Sequence, residues 1–138
     1  SYSLEEMSLI KDELRRDFAA KQLSGIVIYA GGNLLCMIEG PEAAVVSTYE
    51  KGKKDVRHHG LVKLHDGASD MLYFQDFGLT FMFLHSFGPL NDYSSQERQA
   101  YLAECLAIDD KPMRRLNEFL AGNNYTLPVN LSRHYGSL

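Results

Sequence analysis

The stretch that most constrains this chain is Leu23 to Pro41, where two short apolar runs, Gly25–Tyr29 and Leu34–Ile38, flank Ala30-Gly31-Gly32-Asn33. Glycine reaches the positive φ that a tight turn between antiparallel strands demands, so the pattern predicts a β-hairpin. Both runs are apolar at nearly every position rather than at alternate ones. That predicts strands lying deep in a sheet, with helices over at least one face. The rest of the chain then reads as packing around the hairpin.

Ahead of it, Ser3-Leu4-Glu5-Glu6 has the spacing of a capping box and opens a helix to about Lys21. Met7, Ile10, Leu14 and Phe18 give that helix one apolar stripe, leaving Lys11, Asp12, Arg15 and Arg16 toward water. After the hairpin, Pro41-Glu42 starts a second helix that turns Ala44, Val45, Thr48 and Tyr49 to the sheet and fades between Gly52 and Asp55. Leu61-Val62-Lys63-Leu64 reads as a third strand and Asp66-Gly67 as a turn. Tyr73 to Leu84 reads as an aromatic fourth strand, with Gly78 a bulge.

Ser94 and Glu97 form a second capping pair, opening a helix to about Ala107 with Tyr101, Leu102, Cys105 and Leu106 on its apolar side. A last helix from Lys111-Pro112 to Ala121 packs through Met113, Leu116, Phe119 and Leu120, and Gly122-Asn123-Asn124 stops it. Tyr125 to Leu138 reads as an irregular tail.

Helix, strand, strand, helix, strand, strand is the order of a ferredoxin-like unit without the strand that precedes its first helix. The expected fold class is therefore α+β: a mixed sheet with two helices on one face, plus two C-terminal helices. Residues 1–88 form the core, 89–122 a helical extension and 123–138 the tail. In such a unit the first strand lies inside the sheet, so its place is expected to be filled. The candidates are upstream residues, a partner chain, or the tail around Tyr125–Leu131.

Bulk properties exclude several function classes. A chain of 138 residues is long enough to bury one core without metal or disulfide staples. A net charge of −4, with only the short basic runs Lys51–Lys54 and Arg57–His59, argues against a nucleic-acid partner. Lysines late in a helix suit its negative end. No run approaches the roughly 20 apolar residues of a membrane span, and the opening residues do not read as a signal peptide, so no membrane partner and a cytoplasmic location are expected.

Cys36 and Cys105 lie in apolar surroundings without CxxC spacing, which predicts free buried thiols. Adjacent His58 and His59 point apart on a strand and predict no metal. His65 beside Asp66 is the one acid–base candidate and reads more simply as a surface contact. There is no nucleophile motif, no P-loop and no catalytic residue to name, so an enzyme is not expected. Glu39, at the end of the second hairpin strand, reads as a structural acceptor for backbone near the second helix. The aromatic run reads as core, or alternatively exposes Phe81, Met82 and Phe83 as a docking surface.

Leu23-Ser24-Gly25 through Glu39-Gly40-Pro41-Glu42 resembles the ITGLLLY…G.FLQVLEGPE signature of BLUF domains, the flavin-binding blue-light sensors. Asp55-Val56-Arg57-His58 is similar to that family's DPRH segment, and Phe74 to Phe81 to its F.DWSMGF segment. The resemblance covers about Ser3 to Phe83, and the closing helices fit the family's C-terminal extension.

The photochemistry that the resemblance implies uses a tyrosine on the first strand, an asparagine late in the first helix and a glutamine in FLQVLEG. Tyrosine and glutamine support proton-coupled electron transfer and hydrogen-bond rearrangement; asparagine and glutamine bond the flavin's polar edge. The tyrosine's strand would precede the first residue of this sequence. The asparagine position is Phe18 and the glutamine position Cys36, while the last strand's tryptophan and methionine correspond to Phe77 and Leu79.

Phenylalanine cannot bond a flavin carbonyl, and a thiol does not imitate an amide's paired donor and acceptor. Unpaired polar groups in a buried site cost about 1–3 kcal/mol each, whereas each apolar side chain buried there contributes about 1.5–3 kcal/mol. The expectation is that Phe18 points into the isoalloxazine's space and that the pocket of Phe18, Cys36, Phe77 and Leu79 is occluded, with no cofactor. Such a degenerate BLUF-like module would act through a protein partner or as a homo-oligomer. The alternative is an FAD-binding blue-light photoreceptor domain with a divergent pocket.

Overall fold

A computed structural model describes residues 2–54, 67–68 and 71–127. The elements are α1 (Leu4–Ala20), β1 (Ser24–Ala30), β2 (Asn33–Glu39), α2 (Glu42–Lys54), β3 (Leu79–Leu84), a 3₁₀ turn (Gly88–Leu90), α3 (Gln96–Leu106) and α4 (Lys111–Gly122). The three strands form a mixed sheet in the order β2-β1-β3, giving the expected α+β class with its C-terminal helices. The expected strand at Leu61–Leu64, the DPRH-like segment at Asp55–His58 and the residues His59, His65 and Asp66 lie outside the described residues, as do positions 128–138. The chain divides into two compact units, Ser1–Val27 with Cys36–Thr80 and Ile28–Leu35 with Phe81–Leu138.

In the first unit α1 begins as predicted. The Ser3 hydroxyl accepts the Glu6 N–H at 3.1 Å, and the Glu6 carboxylate accepts the Ser3 N–H at 2.9 Å. The Ser3 N–H bonded to it, with the Ser3 hydroxyl beside it, holds the Glu6 carboxyl below the usual glutamate range. The helix ends in a Schellman arrangement: Leu23 N–H reaches the Phe18 carbonyl at 2.8 Å and Gln22 N–H reaches Ala19, with Gln22 left-handed at φ +58°.

The buried face of α1 differs from the predicted stripe. Met7, Lys11 and Phe18 are buried, while Ile10 and Leu14 are only half-buried. The stripe is thus turned by about one residue, and the lysine that the pattern sent to water lies 8% exposed. A lysine's four-carbon stem suits such a site as an apolar segment with a polar tip. Helix α2 turns Ala44, Val45, Thr48 and Tyr49 inward as expected, although none is fully buried.

The hairpin joins β1 and β2 through Gly31 and Gly32, both at positive φ (+45° and +91°), the geometry of a type I′ turn. A two-residue turn fixes the register: Ala30 faces Asn33, Gly25 faces Ile38, and Ser24 faces Glu39. A Cβ on Gly25 would lie 1.9 Å from the Met37 carbonyl oxygen, so only glycine fits there. β1 is the deep strand that was predicted, with Ile26 and Ile28 fully buried. β2 is not. Only Glu39 is buried, and Asn33, Leu34 and Cys36 are exposed. An apolar run does not say whether a strand has one neighbour or two, and β2 has only β1 among the described strands.

The predicted long aromatic strand is shorter than its composition suggested. Tyr73 to Phe77 form a turn, closed by Phe77 N–H to the Phe74 carbonyl at 3.0 Å, and the strand begins at Leu79. Gly78, at φ +68°, is the junction rather than a bulge. All of Leu79–Leu84 is buried, so the Phe81–Phe83 docking surface does not exist.

In the second unit the rings of Tyr29, Phe81, Phe83 and Phe87 form a cluster with centroid separations of 5.5 to 6.2 Å. Asp92 bonds Phe81 twice: its carboxylate accepts Phe81 N–H at 2.7 Å and its own N–H donates to the Phe81 carbonyl at 2.8 Å. Helix α3 is capped by Ser95, not Ser94, because the Ser94 hydroxyl donates to the Asn91 carbonyl while Ser95 accepts Arg98 N–H. Helix α4 starts at Asp110, whose carboxylate accepts Met113 N–H, and buries Met113, Leu116 and Leu120. It ends on left-handed Asn124 in a second Schellman arrangement.

Candidate functional site

The four positions singled out by sequence all fall in the first unit. Phe18 sits at the last turn of α1 and is 3% exposed; the C-terminal cap ties its carbonyl to the Leu23 N–H at 2.8 Å. Leu79 opens β3 at 2% exposure, and Phe77 ends the preceding turn half-buried. Cys36, in the middle of β2, is exposed and free, which corrects the expectation of a buried thiol; Cys105 on α3 is the buried one. Desolvation of its sulfur pushes the Cys36 thiol up to about 12. Both the burial of Phe18 and the exposure of Cys36 follow from position, since Phe18 lies on the inner face of α1 and Cys36 on the outermost described strand.

Chemically the set is poor. Two phenyl rings, an isobutyl group and a thiol supply no amide, carboxylate or cationic group, so these side chains do not fit a flavin's paired donors and acceptors. Nor is any of them a buried polar atom without a hydrogen-bond partner, as Thr48 Oγ1 and Ser86 Oγ are among the described residues. No group of three or more potential metal ligands occurs among the described residues.

The polar chemistry of this unit lies instead at the base of the hairpin. Glu39, 8% exposed, accepts the Ser24 hydroxyl on Oε2 at 2.7 Å, Phe74 N–H on Oε2 at 2.7 Å and Tyr73 N–H on Oε1 at 2.8 Å. These short distances are those of charge-assisted bonds. The structural role expected of Glu39 is present, but its partners are the turn before β3 rather than backbone near α2. That is also why Tyr73–Phe77 is a turn: its amides point at a side chain instead of a neighbouring strand. The signal that was open to notice is a lone carboxylate closing an apolar strand, which must be paired if buried.

Two clefts accompany these residues. One, of about 850 Å³, lies in the first unit between the end of α1 and the base of the hairpin, lined by Ala19, Gln22, Leu23, Ser24, Gly40 and Leu72 among others; none of the four positions above lines it. The other, about 300 Å³, lies in the second unit against α3 and α4, beside Asn117 and Tyr125, whose phenol burial pushes up. No helix among the described residues is long and apolar enough to cross a membrane.

Comparison with known proteins agrees with the hairpin-centred resemblance. Residues 1–80 match the family described as "BLUF: Sensors of blue-light using FAD". The chain is 28% identical over 123 residues to photoactivated adenylate cyclase subunit beta of Euglena longa, covering 86% of this chain and 14% of the relative. It is 29% identical over 109 residues to subunit alpha of Euglena gracilis, covering 76% and 10%. It therefore spans only a small part of those relatives. Among solved structures, the photo-activated state of BlsA superposes with a TM-score of 0.57 at 22% identity, covering 78% of this chain and 86% of that one. The BlsA ground state gives the same score at 23% identity. At that identity the likeness is one of fold.

Proposed function

This chain belongs to the BLUF family, the sensors of blue light using FAD, and from that premise we propose that it works as a protein-interaction module without the family's photocycle. The observation that carries the reading is Phe18. The resemblance puts an amide-bearing asparagine at that position, and here a phenyl ring is held there at 3% exposure. Cys36 stands where the glutamine would, and its thiol cannot donate and accept as an amide does. A flavin bound against this pair would leave polar groups unpaired at about 1–3 kcal/mol each. The reading is non-enzymatic, since the site's four side chains include no acid, base or amide. Its partner is a protein, either in a larger assembly or as a second copy.

The reading of an FAD-binding photoreceptor with a divergent pocket is favoured by family membership and by the open cleft in the first unit. A visible absorption spectrum of the purified protein, before and after incubation with FAD and blue light, separates the two. Absence of a flavin band is the expected result. A band that shifts to the red on illumination refutes the proposal, and a bound but light-inert flavin refutes its cofactor-free part. The double variant Phe18→Asn/Cys36→Gln should bind FAD more tightly than the wild type; unchanged binding would mean that these positions do not set affinity.

A further inference from the structure

The cleft of about 850 Å³ in the first unit is lined by none of the four positions that the family resemblance singled out, and its chemistry differs from theirs. Its volume lies within the roughly 300–1,000 Å³ typical of ligand sites. Gln22 lines it from the end of α1 and Gln75 from the turn before β3, both exposed. Ser24 lines it at the base of the hairpin, while Leu23, Pro41 and Leu72 supply apolar surface. In a chain with 23% charged residues, no ionisable side chain occurs among the described residues of the lining. Two carboxamides and a hydroxyl are left for polar recognition.

These groups are held in definite states. Ser24 is 6% exposed and its hydroxyl hydrogen is committed to Glu39 at 2.7 Å, so toward the cleft its oxygen offers lone pairs alone. Glu39 is itself fixed by the Tyr73 and Phe74 amides, which makes that acceptor rigid. Gln22 stands at φ +58°, at a helix end where glycine would carry no penalty. Backbone strain of that kind gathers at binding sites, and here it delivers a carboxamide to the cleft wall. Leu72 and its neighbour in sequence, Met71, are large apolar side chains left 44% and 45% exposed.

We propose that this cleft binds a short, extended, uncharged peptide segment of a partner protein. The inference rests on the interaction-module reading and names the kind of partner. A peptide group carries one N–H and one C=O. A glutamine carboxamide matches that pair, donor to acceptor and acceptor to donor, and the Ser24 oxygen accepts one further N–H. An apolar residue of the segment covers Leu23, Pro41 and Leu72 and removes their surface from water. A charged side chain would lose its water without an opposite charge in the lining. An acidic one would also face the Glu39 carboxylate behind Ser24.

The test titrates the isotope-labelled 138-residue chain with acetyl-Ala-Leu-Ala-amide and follows the side-chain NH2 resonances of Gln22 and Gln75 by NMR. Both should shift saturably, and acetyl-Ala-Asp-Ala-amide should bind about tenfold more weakly. Gln22→Gly should weaken binding about tenfold while raising the melting temperature, a combination that a merely structural residue would not give. Gln75→Ala, at an exposed position, should weaken binding to a similar degree and leave the melting temperature unchanged. No saturation by the leucine peptide, equal binding of the two peptides, or binding that survives either substitution overturns the proposal. Shifts of the same resonances on dilution without peptide overturn it too, since the occupant is then a second copy. The flavin spectrum is independent of this outcome. A chain that binds both FAD and the peptide refutes the cofactor-free reading alone, and a flavin-free chain that ignores the peptide refutes the cleft assignment alone.

Discussion

Removing the Glu39 carboxylate should cost this protein a large share of its stability. Glu39→Ala deletes the acceptor for the Ser24 hydroxyl and for the Tyr73 and Phe74 amides, in a setting where Phe74 is fully buried and Tyr73 is 4% exposed. Bonds to a charged group contribute about 1.5–3 kcal/mol each, and a buried donor deprived of its acceptor costs about 1–3 kcal/mol. Ser24 lines the cleft, so water can replace part of what is lost. A net loss of about 3–5 kcal/mol follows, to be set against the roughly 5–15 kcal/mol that holds a domain folded. Glu39→Gln separates hydrogen bonding from volume. It fills the same space, but its amide nitrogen either meets the Ser24 and Phe74 donors or, flipped, meets Tyr73, so about 2 kcal/mol or more should still be lost. Urea unfolding followed by circular dichroism measures both. If the two variants lie within about 1 kcal/mol of the wild type, Glu39 does not fasten the turn to the hairpin and the reasoning fails.

Gly25→Ala should cost at least about 1–3 kcal/mol, because its Cβ meets the Met37 carbonyl oxygen at 1.9 Å and backbone must move; a neutral result in thermal unfolding would show that the hairpin register differs. Gln22→Gly should stabilise the protein by about 1 kcal/mol, since glycine removes the left-handed penalty at the α1 cap, and a lower melting temperature would contradict it. Ser3→Ala should cost about 1 kcal/mol as a lost N-cap, read by the same melt. The Glu6 carboxyl titrates below its unfolded value because the Ser3 N–H bonds it, with the Ser3 hydroxyl beside it. Its support for α1 is therefore present above the ordinary glutamate range and lost as pH falls through the lowered folded value. Amide exchange at the start of α1, corrected for its intrinsic pH dependence, should accelerate across that interval, and acceleration confined to alkaline solution would contradict the sign.

Local physics was legible in the residues themselves. The hairpin, its turn, the Ser3–Glu6 cap and the stop at Asn124 all depend on contacts within a few positions, and glycine, serine and asparagine announce them. The end of α1 was legible as a boundary but not as a cap, since Gln22 takes the left-handed position that glycine usually holds. At α3, Ser94 and Ser95 are both competent caps, and a bond from Ser94 to Asn91 decided between them. The family was legible too, because its signature lies on that same hairpin.

What the sequence alone determined, then, is the order of the described elements, the β-hairpin and the chemical poverty of Phe18, Cys36, Phe77 and Leu79 as flavin partners. Tertiary structure decided which apolar runs are central and which are edges. Leu34–Ile38 looks as buried as Gly25–Tyr29, yet the order β2-β1-β3 leaves Cys36 exposed. It also decided that Tyr73–Phe77 turns back instead of extending, because a carboxylate from a strand far away in sequence captures its amides. Composition and periodicity report how much apolar surface a segment must hide. Which neighbour hides it, and which side chain takes the backbone bonds a strand would have made, depends on residues that meet only when the chain has folded.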